Sequence, residues 1–125
     1  IFTAAVCDFK NKKIMKNKIK KNKFLNLNLI KNIDVLQKVG TNKKLRPKFL
    51  VGFAAETGGV SLAIKKLKKK NCDMIIYNKI EKNNEVFGSE YNKVSIIIKN
   101  KVIKFNKMTK VNCAKKIIKH IYNNQ

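Results

Sequence analysis

Residues 49–77 read FLVGFAAETGGVSLAIKKLKKKNCDMIIY, and this stretch contains three successive hydrophobic patterns. Residues 49–53 and residues 74–77 are short apolar runs with the length of buried strands. Between them, apolar residues recur at the spacing of one helix face: Val60, Ala63, Ile64 and Leu67. A strand, a helix opened by a glycine-containing turn and a second strand predict a βαβ unit. Such units belong to parallel α/β sheets, which bind ligands at the carboxyl ends of their strands.

Three further elements are predicted upstream of this unit. Residues 1–6 form an apolar run that suits a buried strand. Residues 24–30 alternate between leucine and asparagine, as in a strand with one solvated face. Residues 33–39 fit a short helix with Asn32 as its N-cap and Gly40 at its end.

The downstream elements complete the predicted fold. Residues 94–98 and 102–105 are apolar runs on either side of a short basic turn, which indicates a hairpin at the edge of the sheet. An amphipathic helix is predicted after Thr109. We therefore predict an α/β fold, a three-layer Rossmann-like sandwich with a mostly parallel sheet and an antiparallel edge hairpin.

The net charge of +23 is the most conspicuous feature of the composition. It would suit a basic nucleic-acid-binding module, because lysines neutralise backbone phosphates. Only Arg46 among the 30 basic residues is an arginine, however, and arginine is the residue that favours base readout and bidentate phosphate contacts. Lysine and asparagine are enriched together and both have A/T-rich codons, so genomic base bias explains much of the excess. The nucleic-acid-binding module is the alternative function, and we expect no nucleic-acid partner.

Lysine is densest in residues 10–23, where apolar residues are few and show no period. We expect an exposed, mobile segment that is long enough to close over a ligand.

Other features bear on location and on the classes of site. No apolar run approaches the roughly 20 residues of a membrane span, so we expect no membrane partner. Cys7, Cys72 and Cys113 form no CxxC pair, which argues against a zinc site or a disulfide framework and favours reduced thiols in the cytoplasm. The lone His120 has no neighbours at metal-ligand spacing. The absence of GxGxxG argues against a dinucleotide-binding domain.

Three segments place phosphate-binding residue types at strand ends or in the basic segment. They are AAVCDF at residues 4–9, KIKK at residues 18–21 and VGFAAET at residues 51–57. In this order they resemble the AAVADF, KIKK and VGFAAET motifs of bacterial phosphopantothenoylcysteine synthetases. These often form the C-terminal half of a bifunctional enzyme with phosphopantothenoylcysteine decarboxylase. Further resemblances lie at residues 31–36, 66–73 and 87–94, so the similarity covers roughly residues 2–122.

The chain also departs from the family pattern. Cys7, Ile33 and Glu90 stand where the family has alanine, proline and aspartate, and none of these changes removes a charge that the chemistry needs. The family's upstream glycine-rich turn and asparagine-bearing segment have no counterpart. We therefore expect residues 1–125 to be a partial phosphopantothenate–cysteine ligase domain, truncated at its N-terminal side and unable to turn over alone.

The resemblance implies a reaction in coenzyme A biosynthesis. Phosphopantothenate and cysteine would be ligated at the expense of CTP, through an acyl cytidylate. The implied cofactor is Mg²⁺ bound with CTP, and FMN would be present only if a decarboxylase domain precedes this chain. The resemblance further implies a homodimer or a higher homo-oligomer.

The resemblance also assigns roles to individual residues. Lys18 would be catalytic, holding phosphates and the acyl cytidylate, and Asp8 would bind CTP directly or through Mg²⁺. Phe53 would line the cytosine pocket. The complete implied nucleotide-binding set is Phe2, Thr3, Ala4, Asp8, Lys18, Ile33, Asp34, Val35, Leu36, Phe53, Lys66 and Lys70. Metal ligands are not identified by the motifs.

Overall fold

The computed structural model describes residues 6–13, 17–18, 26–80, 88–99 and 101–124. The chain divides into two compact units, Ile1–Val35 and Leu36–Gln125, which are described separately. The strand predicted at residues 1–6 lies outside the described residues except for Val6.

The first unit contains a short antiparallel hairpin. Strand β1 (Phe9–Asn11) pairs with β2 (Leu29–Lys31), and Lys10 lies opposite Ile30. Hydrogen bonds from Lys12 N to Asn28 O (2.8 Å) and from Asn32 N to Asp8 O (2.7 Å) extend the ladder at its two ends. The first two residues of the lysine-rich segment are therefore part of a strand.

The strand expected at residues 24–30 is shorter and later than predicted. Residues 26–28 lie outside β2, and every residue of β2 is exposed. Leu27 and Leu29 are each more than half exposed, so the alternating pattern has no packed face among the described residues. Alternation alone does not specify a strand unless a second layer covers its apolar side.

The second unit is built on a four-stranded mixed sheet. Its strands are β3 (Val51–Glu56), β4 (Met74–Lys79), β6 (Val94–Ile98) and β7 (Lys101–Lys104), in the order β3-β4-β6-β7. Helix α2 (Val60–Lys69) connects β3 to β4, which run parallel, and this confirms the predicted βαβ unit. The β6–β7 hairpin is antiparallel, as predicted, and β4 and β6 are also antiparallel. The predicted α/β class is confirmed, and the described sheet is mixed.

The sheet carries a hydrophobic layer on each face, because successive side chains of a strand point to opposite sides. One layer contains side chains of β4, β6 and α2: Ile75, Tyr77, Ile97, Ala63 and Leu67. The opposite layer contains side chains of β4, β6 and α3 (Lys110–Tyr122): Met74, Ile76, Ile96 and Cys113. Helices on both faces of one sheet make the three layers that were predicted.

Helix α3 begins where the sequence predicted. The Thr109 hydroxyl accepts a hydrogen bond from Asn112 N (3.2 Å), so it caps the free backbone donors of the first turn. A small antiparallel pair precedes the helix, formed by β5 (Tyr91–Asn92) and β8 (Met108–Thr109), which the sequence analysis did not predict. No helix in the described ranges is both long and apolar enough to cross a membrane.

Arg46 connects the segments that precede the two parallel strands. Its guanidinium donates to Asp73 Oδ2 (2.8 Å), and the same carboxylate oxygen accepts from Leu50 N (2.7 Å). The guanidinium also donates to the carbonyl oxygens of Pro47 and Asn71. The single arginine is thus used to join the segment before β3 to the segment before β4.

The described cysteines differ in their surroundings. Cys7 is exposed, whereas Cys72 and Cys113 are buried, and none of these three described cysteines forms a disulfide. Burial raises the pKa of the Cys113 thiol, and the nearby Lys116 charge offsets part of that rise. Cys113 therefore acts as a small core residue in its neutral form.

Helix α1 (Val35–Thr41) begins later than predicted and continues through Gly40. Asn32 does not cap it, since its side chain accepts from Ile33 N (2.9 Å) and donates to Cys7 O (3.1 Å). Gly40 is buried against the loop after α2, where Asn71 Nδ2 donates to its carbonyl oxygen (2.7 Å). A Cβ at position 40 would collide with the Lys70 carbonyl oxygen, which is why the helix contains glycine rather than ending at it.

We expect Gly40→Ala to lower the free energy of unfolding by about 2 kcal/mol, because the added methyl meets backbone that cannot move aside. The helical preference of alanine returns only about 1 kcal/mol at most. Gly59→Ala is the matched control: an added Cβ there has no heavy atom closer than Ser61 Oγ at 3.9 Å, and φ is −76°. Urea unfolding of both variants checks this, and equal stabilities would contradict the close approach.

Candidate functional site

The carboxyl end of β3 leads directly into a glycine turn and helix α2. The strand ends at Glu56, and α2 begins after Gly59, its N-cap residue. Because β3 and β4 are parallel, their carboxyl ends lie at the same edge of the sheet. This edge of a parallel pair is the usual place for a ligand in α/β proteins.

Phe53 and Ala54 point to opposite sides of β3. Ala54 is buried, whereas the Phe53 residue is 66% exposed. Phe53 is therefore not a core residue in the described part of the chain. An exposed ring in the middle of β3 is available to stack against a ligand.

Glu56 and Lys66 form an ion pair between the end of β3 and helix α2. The Glu56 side chain is only 18% exposed, and its Oε1 atom, which faces Lys66, is shielded from solvent. The Lys66 side chain is 42% exposed, so this ion pair joins a shielded carboxylate to a partly solvent-exposed lysine. A positioned cation therefore stands at the strand end.

A second contact holds the turn itself. The hydroxyl of buried Tyr77, on β4, donates to the Gly58 carbonyl oxygen at 2.6 Å. Tyr77 lies opposite Ala54 in the register of β3 and β4. The bond satisfies the carbonyl and fixes the glycine turn relative to the neighbouring strand.

The lysines of α2 fall into two groups. Lys66 and Lys70 are half-buried, whereas Lys65, Lys68 and Lys69 are exposed. Lys70 is the C-cap residue of the helix, and its N–H donates to Lys66 O (2.9 Å). The two lysines that the family resemblance selects are thus the two whose side chains pack against the protein.

The other predicted residue of this unit, Leu36, has a structural contact. Leu36 packs against the hydrophobic layer beneath α2, and its Cδ2 atom occupies the space that a side chain at Gly52 would need. This contact holds α1 on the sheet.

The first unit contains eight of the predicted site residues, of which five lie among the described residues. Asp8 and Lys18 are exposed, Ile33 is 57% exposed, and Val35 is the first residue of α1. Asp34 is half-buried. The backbone carbonyl of Asp8 belongs to the hairpin ladder, which leaves its carboxylate outside the strand pairing. The remaining predicted residues, Phe2, Thr3 and Ala4, lie outside the described residues.

Sequence reasoning missed Glu56 and Tyr77 as residues of the site. Glu56 belongs to the quoted VGFAAET segment, but ten positions separate it from Lys66, and no helical or strand period joins residues so spaced. Tyr77 looks like one more member of a buried strand, and only the register shows that its hydroxyl reaches Gly58. Shielding of a carboxylate at a strand end is visible only in the folded chain.

The described residues contain no group of three or more histidine, cysteine, aspartate and glutamate side chains that would hold a metal ion. Mg²⁺ is commonly bound by one or two carboxylates together with substrate phosphates, and an exposed carboxylate such as Asp8 suits that mode.

These features define an α/β domain with a candidate ligand site, a turn followed by a helix, at the carboxyl ends of a parallel strand pair. The sequence of residues 1–124 matches the family described as DNA/pantothenate metabolism flavoprotein C-terminal domain. The chain belongs to this family, which confirms the relationship expected from its motifs.

Curated relatives share substantial identity with the chain. It is 44% identical to the coenzyme A biosynthesis bifunctional protein CoaBC of Borreliella burgdorferi, covering 98% of this chain and 31% of that protein. The protein of the same name from Bacillus subtilis is 42% identical over 79% of this chain and 24% of its own length. The chain therefore spans about a third or less of these relatives.

A solved structure supports the fold assignment. The crystal structure of the C-terminal domain of a coenzyme A biosynthesis bifunctional protein CoaBC superposes with a TM-score of 0.66 and 31% identity. The match covers 95% of this chain and 50% of that one.

We expect Tyr77→Phe to lower the free energy of unfolding by about 1 kcal/mol, because the Gly58 carbonyl loses its buried donor while the ring remains packed. Tyr91→Phe is the matched control, since that residue is 51% exposed. Denaturant unfolding measures both changes. A Tyr77→Phe variant as stable as the control would show that the turn does not depend on this bond.

Proposed function

We propose that this chain forms part of a phosphopantothenate–cysteine ligase that uses CTP in coenzyme A biosynthesis. The observation that carries the proposal is the positioned Lys66 ammonium beside the turn at the end of β3, in a chain whose relatives are coenzyme A biosynthesis proteins. A cation and a glycine turn at that edge suit an anionic nucleotide.

The reaction has two transfer steps. A carboxylate oxygen of phosphopantothenate forms a bond to the α-phosphorus of CTP, the bond to the bridging oxygen breaks, and pyrophosphate leaves. The amine of cysteine then bonds to the acyl carbon and loses a proton, while the acyl–oxygen bond breaks and CMP leaves. Negative charge develops on phosphate or acyl oxygens in both steps, so the protein contributes mainly placed cations and hydrogen-bond donors.

The residues of the chain take the following proposed roles. Lys18 stabilises charge on the transferring phosphate and acyl groups. Lys66 and Lys70 bind the nucleotide phosphates, and exposed Phe53 lines the cytosine site. Asp8 contacts CTP or its bound Mg²⁺, which would neutralise phosphate charge when present. The backbone of Phe2, Thr3 and Ala4 and the segment from Ile33 to Leu36 are further proposed contacts of the nucleotide.

The wider assignments are part of the same proposal. The active protein is a cytoplasmic homodimer or higher homo-oligomer. A flavin, FMN, belongs to it only where a decarboxylase domain accompanies the ligase.

The nucleotide assignment predicts a preference for CTP over ATP in the full-length polypeptide that carries this chain. The expected result is ligation of phosphopantothenate and cysteine with CTP and Mg²⁺, and a much lower kcat/KM with ATP. Release of pyrophosphate measures turnover with each nucleotide. Equal kcat/KM values for the two nucleotides would count against a cytosine site at Phe53.

Lys18→Gln tests the proposed catalytic lysine in the same polypeptide. Loss of a donor to developing charge typically costs about 100-fold to 1000-fold in kcat, and we expect that range at saturating CTP. Lys13→Gln is the matched control, because it removes another exposed charge from the same basic segment. Its effect should be a small rise in KM that disappears as salt is added. Similar small losses in both variants would reduce Lys18 to a solvated charge.

A further inference from the structure

A carboxylate beside a site for anionic phosphates would repel the ligand unless a cation neutralised it. Glu56 ends β3 beside the turn, in the place proposed above for nucleotide phosphates. We propose that Glu56 is a positioning residue, which holds the Lys66 ammonium where it meets those phosphates. This inference rests on the proposed function and adds a role for a residue outside the expected site.

The direction of helix α2 makes the arrangement possible. Side chains of a helix tilt toward its N-terminus, so Lys66 extends back along α2 toward the turn that opens the helix. Glu56 lies just before that turn and receives the ammonium in an ion pair. A lysine ammonium has three donors, and the carboxylate needs only one of them. The others remain available on the side where Lys66 is exposed.

Burial distinguishes this pair from an ordinary surface ion pair. The Glu56 side chain is 18% exposed, and its Oε1 atom is shielded from solvent. A shielded carboxylate strongly favours a neighbouring cation, because an unpaired buried charge is costly. Lys65, Lys68 and Lys69 of α2 are exposed to solvent, whereas Lys66 is held by its ion pair before any ligand binds. A restricted cation loses less conformational freedom on binding a phosphate.

The pair also controls the local charge. With Lys66 present, Glu56 is neutralised and does not repel a triphosphate. Without Lys66, the same carboxylate would face the phosphates alone. The effect of a Glu56 substitution on KM for CTP should therefore depend on whether Lys66 is present. An ion pair that only stabilised the fold would show no such dependence.

The test measures KM for CTP and kcat in the full-length polypeptide. Glu56→Gln keeps the shape of the side chain and removes its charge. We expect KM for CTP to rise about fivefold with kcat unchanged, because Lys66 binds phosphate in both the ground state and the transition state. In a Lys66→Gln background, Glu56→Gln should leave KM unchanged or lower it, since it removes an unpaired negative charge.

Asp73→Asn provides the matched control. Asp73 also forms an ion pair with one basic residue, Arg46. It directly precedes β4, however, and so lies at the amino-terminal end of the parallel strands, away from Glu56. This variant should lose stability in urea unfolding and keep the KM for CTP of the parent protein. If Glu56→Gln yields little folded protein, Glu56→Asp is measured instead. Its shorter side chain should also raise KM, because it reaches Lys66 poorly.

Different results distinguish failure of the positioning role from failure of the proposed function. A Glu56→Gln variant that loses stability while KM is unchanged overturns the positioning role. An equal fold-rise in KM in the presence and absence of Lys66 also overturns it. If the parent protein does not use CTP at all, the proposed function fails first, before any variant is compared, and this inference fails with it.

Discussion

The second unit depends on the burial of β4 on both of its faces. Met74, Ile75, Ile76 and Tyr77 are each at most 4% exposed, and the strand has a partner along each edge. Burying such side chains contributes about 2 kcal/mol each. Because β4 is covered above and below, α2 must lie on one face and α3 on the other. The register with β3 then decides which residues meet near the carboxyl ends of the two parallel strands, including Tyr77 and Gly58.

The basic side chains of the chain differ in whether they are solvated or bonded to other groups of the protein. Most lysines of α2 extend into solvent, where they interact weakly with one another because water and salt screen them. Lys66 is an exception, since it is drawn to a shielded carboxylate. Arg46 is another, because it joins one carboxylate and two backbone carbonyls through a planar group that lysine does not have. Position, rather than the total of positive charges, separates structural cations from solvated ones.

Local patterns predicted much of the fold but little of the site. The βαβ unit, the β6–β7 hairpin and the Thr109 cap were predictable because each is encoded by neighbours in sequence. The β1–β2 hairpin and the β5–β8 pair join distant short segments, and the sequence gives no period for them. The predicted bounds of helix α1 were wrong because Gly40 was interpreted as the end of the helix. Glycine is needed there because the Lys70 carbonyl oxygen lies too close for a Cβ atom. The family motifs selected Lys66, but its partner Glu56 is defined only by tertiary contact.

The buried hydrogen bond of Tyr77 to Gly58 gives the chain an intrinsic spectroscopic probe. The sequence has no tryptophan and three tyrosines, so near-ultraviolet emission comes from tyrosine without a stronger neighbour to mask it. Tyr91 and Tyr122 are 51% and 81% exposed and experience bulk water, whereas Tyr77 is buried and bonded to the glycine turn. A change in that turn alters the environment of one chromophore in three. Events at the edge of the sheet can therefore be followed spectroscopically in the unlabelled chain.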